Sequence, residues 1–229
     1  MDYKKERVII NLATDNYKKS RKRLYKSLQQ FPVDKLFWTK ESDVGSPSHR
    51  DNPYAFKVYA FKKAIELGYK KILWLDSSVF AIRNISPVFD IIDEEGYIMQ
   101  YAGHLVGNWA NDKSLEYFGI SRDDAMRLKM YGNAGFLGLN MDFEVSRKFF
   151  EMWEKSMFDG MFIGNWRNEN NTESQDERCN GHRHDMTCGS IIANKLGMLY
   201  KPFDEWLEYA PASTAPKNDT IILKAQGID

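Results

Sequence analysis

Cysteine is nearly missing. Cys179 and Cys188 are the two in 229 residues, too few for a disulfide scaffold and expected to stay reduced. An excess of charge of one sign is missing as well: 32 basic and 32 acidic residues cancel. That removes the electrostatic argument for a nucleic-acid or acidic-membrane partner, and no nucleic acid is expected. No apolar run approaches the ~20 residues that cross a bilayer, and Met1 to Arg7 are charged and lead into a strand without an apolar leader. The expectation is a cytoplasmic chain with no transmembrane segment. Familiar phosphate loops are also lacking. There is no Gly-x-x-x-x-Gly-Lys-Ser/Thr segment, and Gly132, Gly135 and Gly138 have neither dinucleotide-binding spacing nor a following helix start. Without a Gly-x-Ser-x-Gly elbow, a hydrolase triad has little support. Internal repeats and low-complexity linkers do not occur.

What is present is a large apolar fraction, 43% hydrophobic and 14% aromatic, enough for residues 1–229 to form one domain around a sizeable core. The segment from Lys71 to Phe80 organises the rest. Its run Ile72-Leu73-Trp74-Leu75 has no polar alternation and suits a strand covered on both faces. It ends abruptly at Asp76-Ser77-Ser78. Open α/β sheets bind ligands outside the carboxyl ends of their strands, so these three residues form a candidate site. The competing reading of Asp76 is a cap on the following turn.

Upstream, Val8 to Ala13 reads as a buried strand, followed by Thr14-Asp15-Asn16 and a helix stopped by Pro32. Its cationic run Arg21, Lys22, Arg23 and Lys26 could meet phosphate or form a solvated face. Leu36 to Thr39 is a second strand. A helix capped by Asp51-Asn52, with Pro53 in its first turn and Gly68 at its end, carries Lys57 and leads into the Asp76 strand. Strand-helix-strand-helix-strand order signals parallel pairing. The architecture expected is α/β with a mostly parallel central sheet flanked by helices.

Downstream, Ile85 to Ile92 reads as a helix, Tyr97 to Tyr101 as a strand, Gly103 to Trp109 as a loop, and Asp123 to Lys129 as helical. Ala134 to Asn140 is a strand whose glycines mark close approach to the backbone. Asp142 is placed to cap the next helix. Residues 159–183 are polar and asparagine-rich without a period, as in a functional lid or a partly disordered segment. A helix follows from Arg183-His184-Asp185, then a short strand at Leu199 to Pro202 and an apolar stretch at Ile221 to Gly227.

With Asn52-Pro53-Tyr54-Ala55-Phe56-Lys57, Trp74-Leu75-Asp76-Ser77-Ser78, Gly132-Asn133-Ala134-Gly135-Phe136 and Arg183-His184-Asp185 in place, the chain resembles the GT-A class of nucleotide-sugar-dependent glycosyltransferases, of a small viral or bacterial type. The resemblance spans roughly Val8 to Leu196. It implies a nucleoside-diphosphate-sugar donor, UDP foremost, a glycan or other hydroxyl acceptor, and Mn²⁺ or Mg²⁺ held by an Asp-x-Asp motif. Here that motif departs from the pattern, with Ser78 where the second carboxylate usually stands. Oxygen ligands suit a hard cation that neutralises a leaving diphosphate, so Asp76 and Ser78 are the candidate metal ligands.

Lys57 is expected to reach the diphosphate, or else to face solvent. Asn11, Ala13 and Thr14, at the first strand's end, are candidates for a base or ribose pocket, or for a plain turn. Asp185 is the candidate base toward the acceptor hydroxyl, against an N-cap reading. Trp109, Trp166 and Tyr131 are candidates for stacking on a sugar or base. Cys179, His182, His184 and Cys188 form a rival set, the ligands of a structural zinc in a non-catalytic binding module.

Overall fold

A computed structural model describes residues 6–132 and 135–226. Asn133 and Ala134 of the glycine segment, Met1 to Lys5, and Gly227 lie outside the described residues. The central sheet has five strands, β1 (Arg7–Leu12), β2 (Asp34–Trp38), β3 (Lys71–Leu75), β5 (Tyr97–Met99) and β8 (Phe136–Asn140), in the order β2-β1-β3-β8-β5. β1 pairs in parallel with β2 and β3, and β8 runs antiparallel to β3 and β5. The α/β architecture stands, with a mixed sheet in which one strand is reversed.

Alternation along each strand builds two cores, because successive side chains point to opposite faces. Val8, Ile10, Leu12, Ile72, Trp74, Leu137 and Leu139 face one side, against α2 (Ala55–Glu66), α6 (Glu144–Phe158) and α7 (His184–Lys195). Ile9, Leu73, Leu75 and Phe136 face the other, against α1 (Lys18–Leu28) and α3 (Ser86–Glu95). Fully buried Phe61 and Trp153 meet edge to face at 6.0 Å. Truncating either to Ala costs about 3–5 kcal/mol.

Two small sheets complete the fold: β4 (Val79–Ala81), β10 (Leu223–Ala225) and β9 (Leu207–Tyr209) in the order β4-β10-β9, and the pair β6 (Tyr101–Leu105) with β7 (Lys129–Tyr131). They account for several departures from the sequence expectations. Gly103 to Trp109 is part strand and part 3-10 turn, because β6 pairs with β7. Asp123 to Lys129 is helical only to Ala125, where the four-residue α5 (Arg122–Ala125) ends, and then enters β7. The stretch after Leu199 makes a single bridge, Lys201 to Gln100. A helix not expected from the sequence, α4 (Asp112–Phe118), is capped by Asn111, whose side chain accepts from the Ser114 amide.

Tertiary contacts move two of the expected caps. α2 starts at Ala55 after Tyr54 in the left-handed region, φ 61°, rather than at Pro53. α6 is preceded by Phe143, not by Asp142. Gly68, at φ 92°, does close α2. Among the described residues no helix is long and apolar enough to cross a membrane.

Candidate active site

The parallel strands β1 and β3 end side by side, and the antiparallel β8 begins there, so Leu75 pairs with Phe136 and Gly135 lies behind Asp76. The Asp76 amide donates to the Gly135 carbonyl at 3.0 Å. A Cβ at position 135 would lie 2.7 Å from the Asp76 Cβ. What approaches this glycine closely is the Asp76 side chain. At Gly138 it is Ile92 and Ile98, so that glycine serves packing.

Around Asp76 the buried face of α2 supplies Lys57, and the first turn of α7 supplies Asp185. The ammonium lies 3.1 Å from Asp185 Oδ2 and 3.8 Å from Asp76 Oδ1, and over the rings of Tyr54 at 5.0 Å and Trp74 at 5.7 Å. Lys57 is therefore an interior ion-pair partner and not a solvent-facing lysine. Burial opposes its charge, but the carboxylates of Asp185 and then Asp76 prevail and hold its pKa above the ordinary lysine value. The Trp74 indole donates to Asp76 Oδ1 at 2.7 Å. For Asp76, burial pushes the pKa up, offset in part by Lys57 and by this indole.

Asp185 does not cap α7, whose N-cap is Arg183. Its carboxylate turns to Lys57, while its carbonyl accepts from the buried Trp153 indole at 3.0 Å, which anchors α7 to α6.

Two cavities meet at this chain of charges. One, of about 410 Å³, sits at the strand ends and is lined by Ala13, Thr14, Asp76, Ser77, Ser78 and Tyr54, among others. The other, of about 600 Å³, includes Lys57, Asp185, Trp166, Arg183, Phe203, Tyr209 and again Tyr54. Both volumes suit small-molecule sites. Tyr54 forms the shared wall, its ring 5.3 Å from that of His184. Both residues hold positive φ, 61° and 50°, where a non-glycine side chain is strained, as at many working sites.

Of the sequence candidates, Ala13, Thr14, Asp76, Ser77 and Ser78 share the strand-end cavity, and Lys57 and Asp185 adjoin it. Asn11 stands apart. It is fully buried, and its Nδ2 donates to the Leu75 carbonyl at 2.7 Å, tying β1 to β3. The cationic run on α1 turns out to hold the site's loops: Arg21 donates to the Ala13 carbonyl, and Arg23 donates to the Ser78 carbonyl at 3.0 Å.

Trp166 lines the larger cavity, whereas Tyr131 is buried beneath Gly189. Sequence reasoning passed over Tyr54, Arg183, Phe203 and Tyr209. The first two stood inside motifs already singled out, but nothing in the letters marks the last two.

The zinc set does not assemble. Among the described residues no group of three or more His, Cys, Asp or Glu side chains is arranged to hold a metal. His182 Nε2 and Cys188 Sγ both bond the Met161 carbonyl, at 2.9 and 3.3 Å, and His184 Nδ1 bonds that of Phe162 at 2.9 Å. Cys179 Sγ bonds the Ala110 carbonyl at 3.4 Å. Burial raises the pKa of both thiols, which opposes the thiolate that zinc needs.

A hard divalent cation at Asp76 is a different case. With Trp74 and Lys57 at Oδ1, Asp76 Oδ2 has no hydrogen-bond donor among the described residues, and Asp76 and Ser78 line one cavity. One carboxylate and one hydroxyl fit an ion that keeps water and substrate phosphate in the rest of its shell.

No family model and no curated protein matches this chain. Among solved structures, apo mouse xyloside xylosyltransferase 1 superposes with a TM-score of 0.52 at 11% identity, over 90% of this chain and 88% of that one. The glycosyltransferase GlyE of Streptococcus pneumoniae TIGR4 gives a TM-score of 0.44 at 15% identity, over 87% of this chain and 45% of that one. The first likeness establishes a shared fold.

Proposed function

We propose that this chain is a glycosyltransferase that moves a sugar from a nucleoside diphosphate, UDP foremost, to a hydroxyl acceptor. The observation that carries the proposal is the Asp76–Lys57–Asp185 chain at the carboxyl ends of β1 and β3, with Lys57 and Asp185 buried, Asp76 partly exposed, and a cavity on either side. The fold shared with a xylosyltransferase supports it. In this reading the donor occupies the strand-end cavity, with its diphosphate near Asp76, Ser77 and Ser78, and the acceptor occupies the larger one.

The reaction breaks the bond from the anomeric carbon to the diphosphate and forms one to the acceptor oxygen, whose proton needs a base. Asp185 lines the acceptor cavity, with Oδ2 held by Lys57 and Oδ1 without a hydrogen-bond donor among the described residues. It takes that proton in an inverting transfer, and orients hydroxyls in a retaining one. Lys57, charged at all working pH, aligns the two carboxylates and adds positive potential where the diphosphate departs. Bound Mn²⁺ or Mg²⁺, held by Asp76 and Ser78, would neutralise charge on the leaving group.

Thermal melts with UDP-, GDP- and dTDP-sugars, with and without Mn²⁺, test the reading. Saturation by the right donor stabilises by about 2–3 kcal/mol, several degrees in Tm, and more with Mn²⁺. The absence of a shift with every donor would overturn it.

A further inference from the structure

The larger cavity contains a cation that transfer chemistry as set out above does not use. The Arg183 guanidinium is clamped between two indoles, 3.8 Å from the ring centroid of Trp109 and 3.9 Å from that of Trp166. Two other arginines that lie against the protein are matched. Arg122 donates to the carbonyls of Gly107 and Ala110 and to Asp112, and Arg7 pairs with Asp93. Arg183 has no carboxylate partner among the described residues. Its amide is tied to the Trp109 carbonyl at 3.1 Å, which fixes the backbone at this position, and the residue lines the cavity.

Stacking on both faces leaves one way for this group to bond. The N–H groups of a guanidinium lie in its plane, so a clamped one presents only its edge, and two parallel N–H bonds match a carboxylate or phosphate. The clamp has already fixed the side chain, so little rotamer freedom is lost on binding.

The other charges of the cavity leave this role to Arg183. Lys57 and Asp185 neutralise each other at 3.1 Å, and burial, followed by the charge of Arg183, lowers the pKa of His104. Phe203 and Tyr209 line the same cavity and are half exposed, offering flat apolar faces of the kind a pyranose ring covers.

We infer that the larger cavity binds an anionic saccharide, its carboxylate or phosphate held edge-on by Arg183 and its ring against Phe203 and Tyr209. Calling that saccharide the acceptor rests on the proposed glycosyl transfer; the binding itself does not.

Calorimetric titration with three probes that share one ring tests the inference: methyl glucuronide, a phosphomonoester of glucose, and neutral methyl glucoside. The wild-type protein is expected to bind at least one charged probe roughly tenfold or more tightly than the neutral one, as charge-assisted bonds allow. Whichever charged probe leads assigns the anion. Arg183→Gln should bring the three probes to one weak Kd.

Equal affinities in the wild type, or a preference that survives Arg183→Gln, would overturn the inference. Should the glutamine variant not fold, Arg183→Lys keeps the charge without the fork and should lose several-fold for the leading probe. Unchanged preference there would equally count against edge-on recognition. These probes carry no nucleotide. A protein that ignores every nucleotide sugar yet discriminates among them fails the transfer reading alone, and one that turns over donor while binding all three alike fails this inference alone.

Discussion

Lys57 and Lys224 are both buried against carboxylates, with side chains 6% and 1% exposed, and they sit in very different surroundings. Lys224 on β10 lies across from Glu208 on β9, its register partner, at 3.3 Å, and the Glu208 side chain is fully buried. The ammonium also donates to Thr214 Oγ1 at 3.1 Å and to the carbonyls of Pro211 and Thr214. One cation thus meets one anion inside a shell of backbone acceptors, and neither residue lines the two cavities described above.

Lys57 instead meets two carboxylates, which leaves one negative charge in excess, and the three groups border those cavities. Burial of an ion pair does not identify a site, since sealed pairs hold folds together too. Access and unequal charge set the Lys57 cluster apart, because a group with unmet electrostatic demand beside open space can be satisfied by a ligand.

Replacing the anions of the first cluster should give the largest effect. Asp76→Asn and Asp185→Asn are each expected to lower transfer by a factor of about 10²–10⁴, the range associated with losing a general base or the charge that stabilises a leaving group. Melting temperatures should change little, because the amide oxygen that replaces the Asp76 carboxylate can still accept from the Trp74 indole, and Lys57 keeps one carboxylate in either variant. Donor turnover measured beside a thermal melt checks this. A variant that melts early while the surviving protein keeps full turnover would make the Lys57 cluster structural, like that of Lys224.

The sealed pair should respond in the opposite way. Lys224→Met strands a buried carboxylate and is expected to cost about 3–5 kcal/mol, read by urea unfolding, with donor Kd unaltered in the protein that remains folded. Adding Glu208→Leu should recover much of that loss, since an apolar pair of similar volume replaces the ion pair. Failure of the double variant to recover stability would show that the pair does more than hold β9 to β10.

The smallest effect is one of pH. Burial, followed by the neighbouring His184, pushes the pKa of the fully buried His182 down to about 3. A depressed histidine binds its proton in the unfolded chain first. Its stabilising contribution is therefore complete above the ordinary value near ~6.5 and is lost as pH falls toward the folded value. About 1.4 kcal/mol should be gone by roughly pH 5.5. His182→Asn should flatten that part of the stability profile, whereas an identical acid slope in the variant would assign it to other groups.

The strand that ends at Asp76 was legible because its signal is local: an apolar run without alternation, then a carboxylate. Lys57 was legible as a position on the helix feeding that strand, but its partner was not. Asp185 was picked out for a different reason, as the residue closing a polar segment. The segment's own attachments were invisible in the letters. The Glu173 carboxylate collects the side chains of Asn111 and Asn165, at 3.0 and 2.8 Å, and the Asn180 amide reaches the Asn108 carbonyl at 2.8 Å. Most of these bonds join residues far apart in the chain, and none leaves a periodic trace. The start of α2 differs from its sequence signal for the same kind of reason, since Tyr54 takes a strained backbone to place its ring between two cavities.

Hydrophobic period and turn chemistry belong to the chain itself, so the sequence alone determined that strands and helices alternate, that the core lies on both faces of a sheet, and that Asp76 stands at a strand's carboxyl end. Tertiary structure decided which inward side chains meet. Lys57 reaches Asp185 because α2 and α7 cover the same face of the sheet, and Arg183 lies between Trp109 and Trp166 because β6, α7 and the polar segment converge on one cavity. An apolar stripe specifies that a face must be buried, but its contacts are non-directional and roughly proportional to area, so they say nothing about which charged neighbours that burial brings within 4 Å.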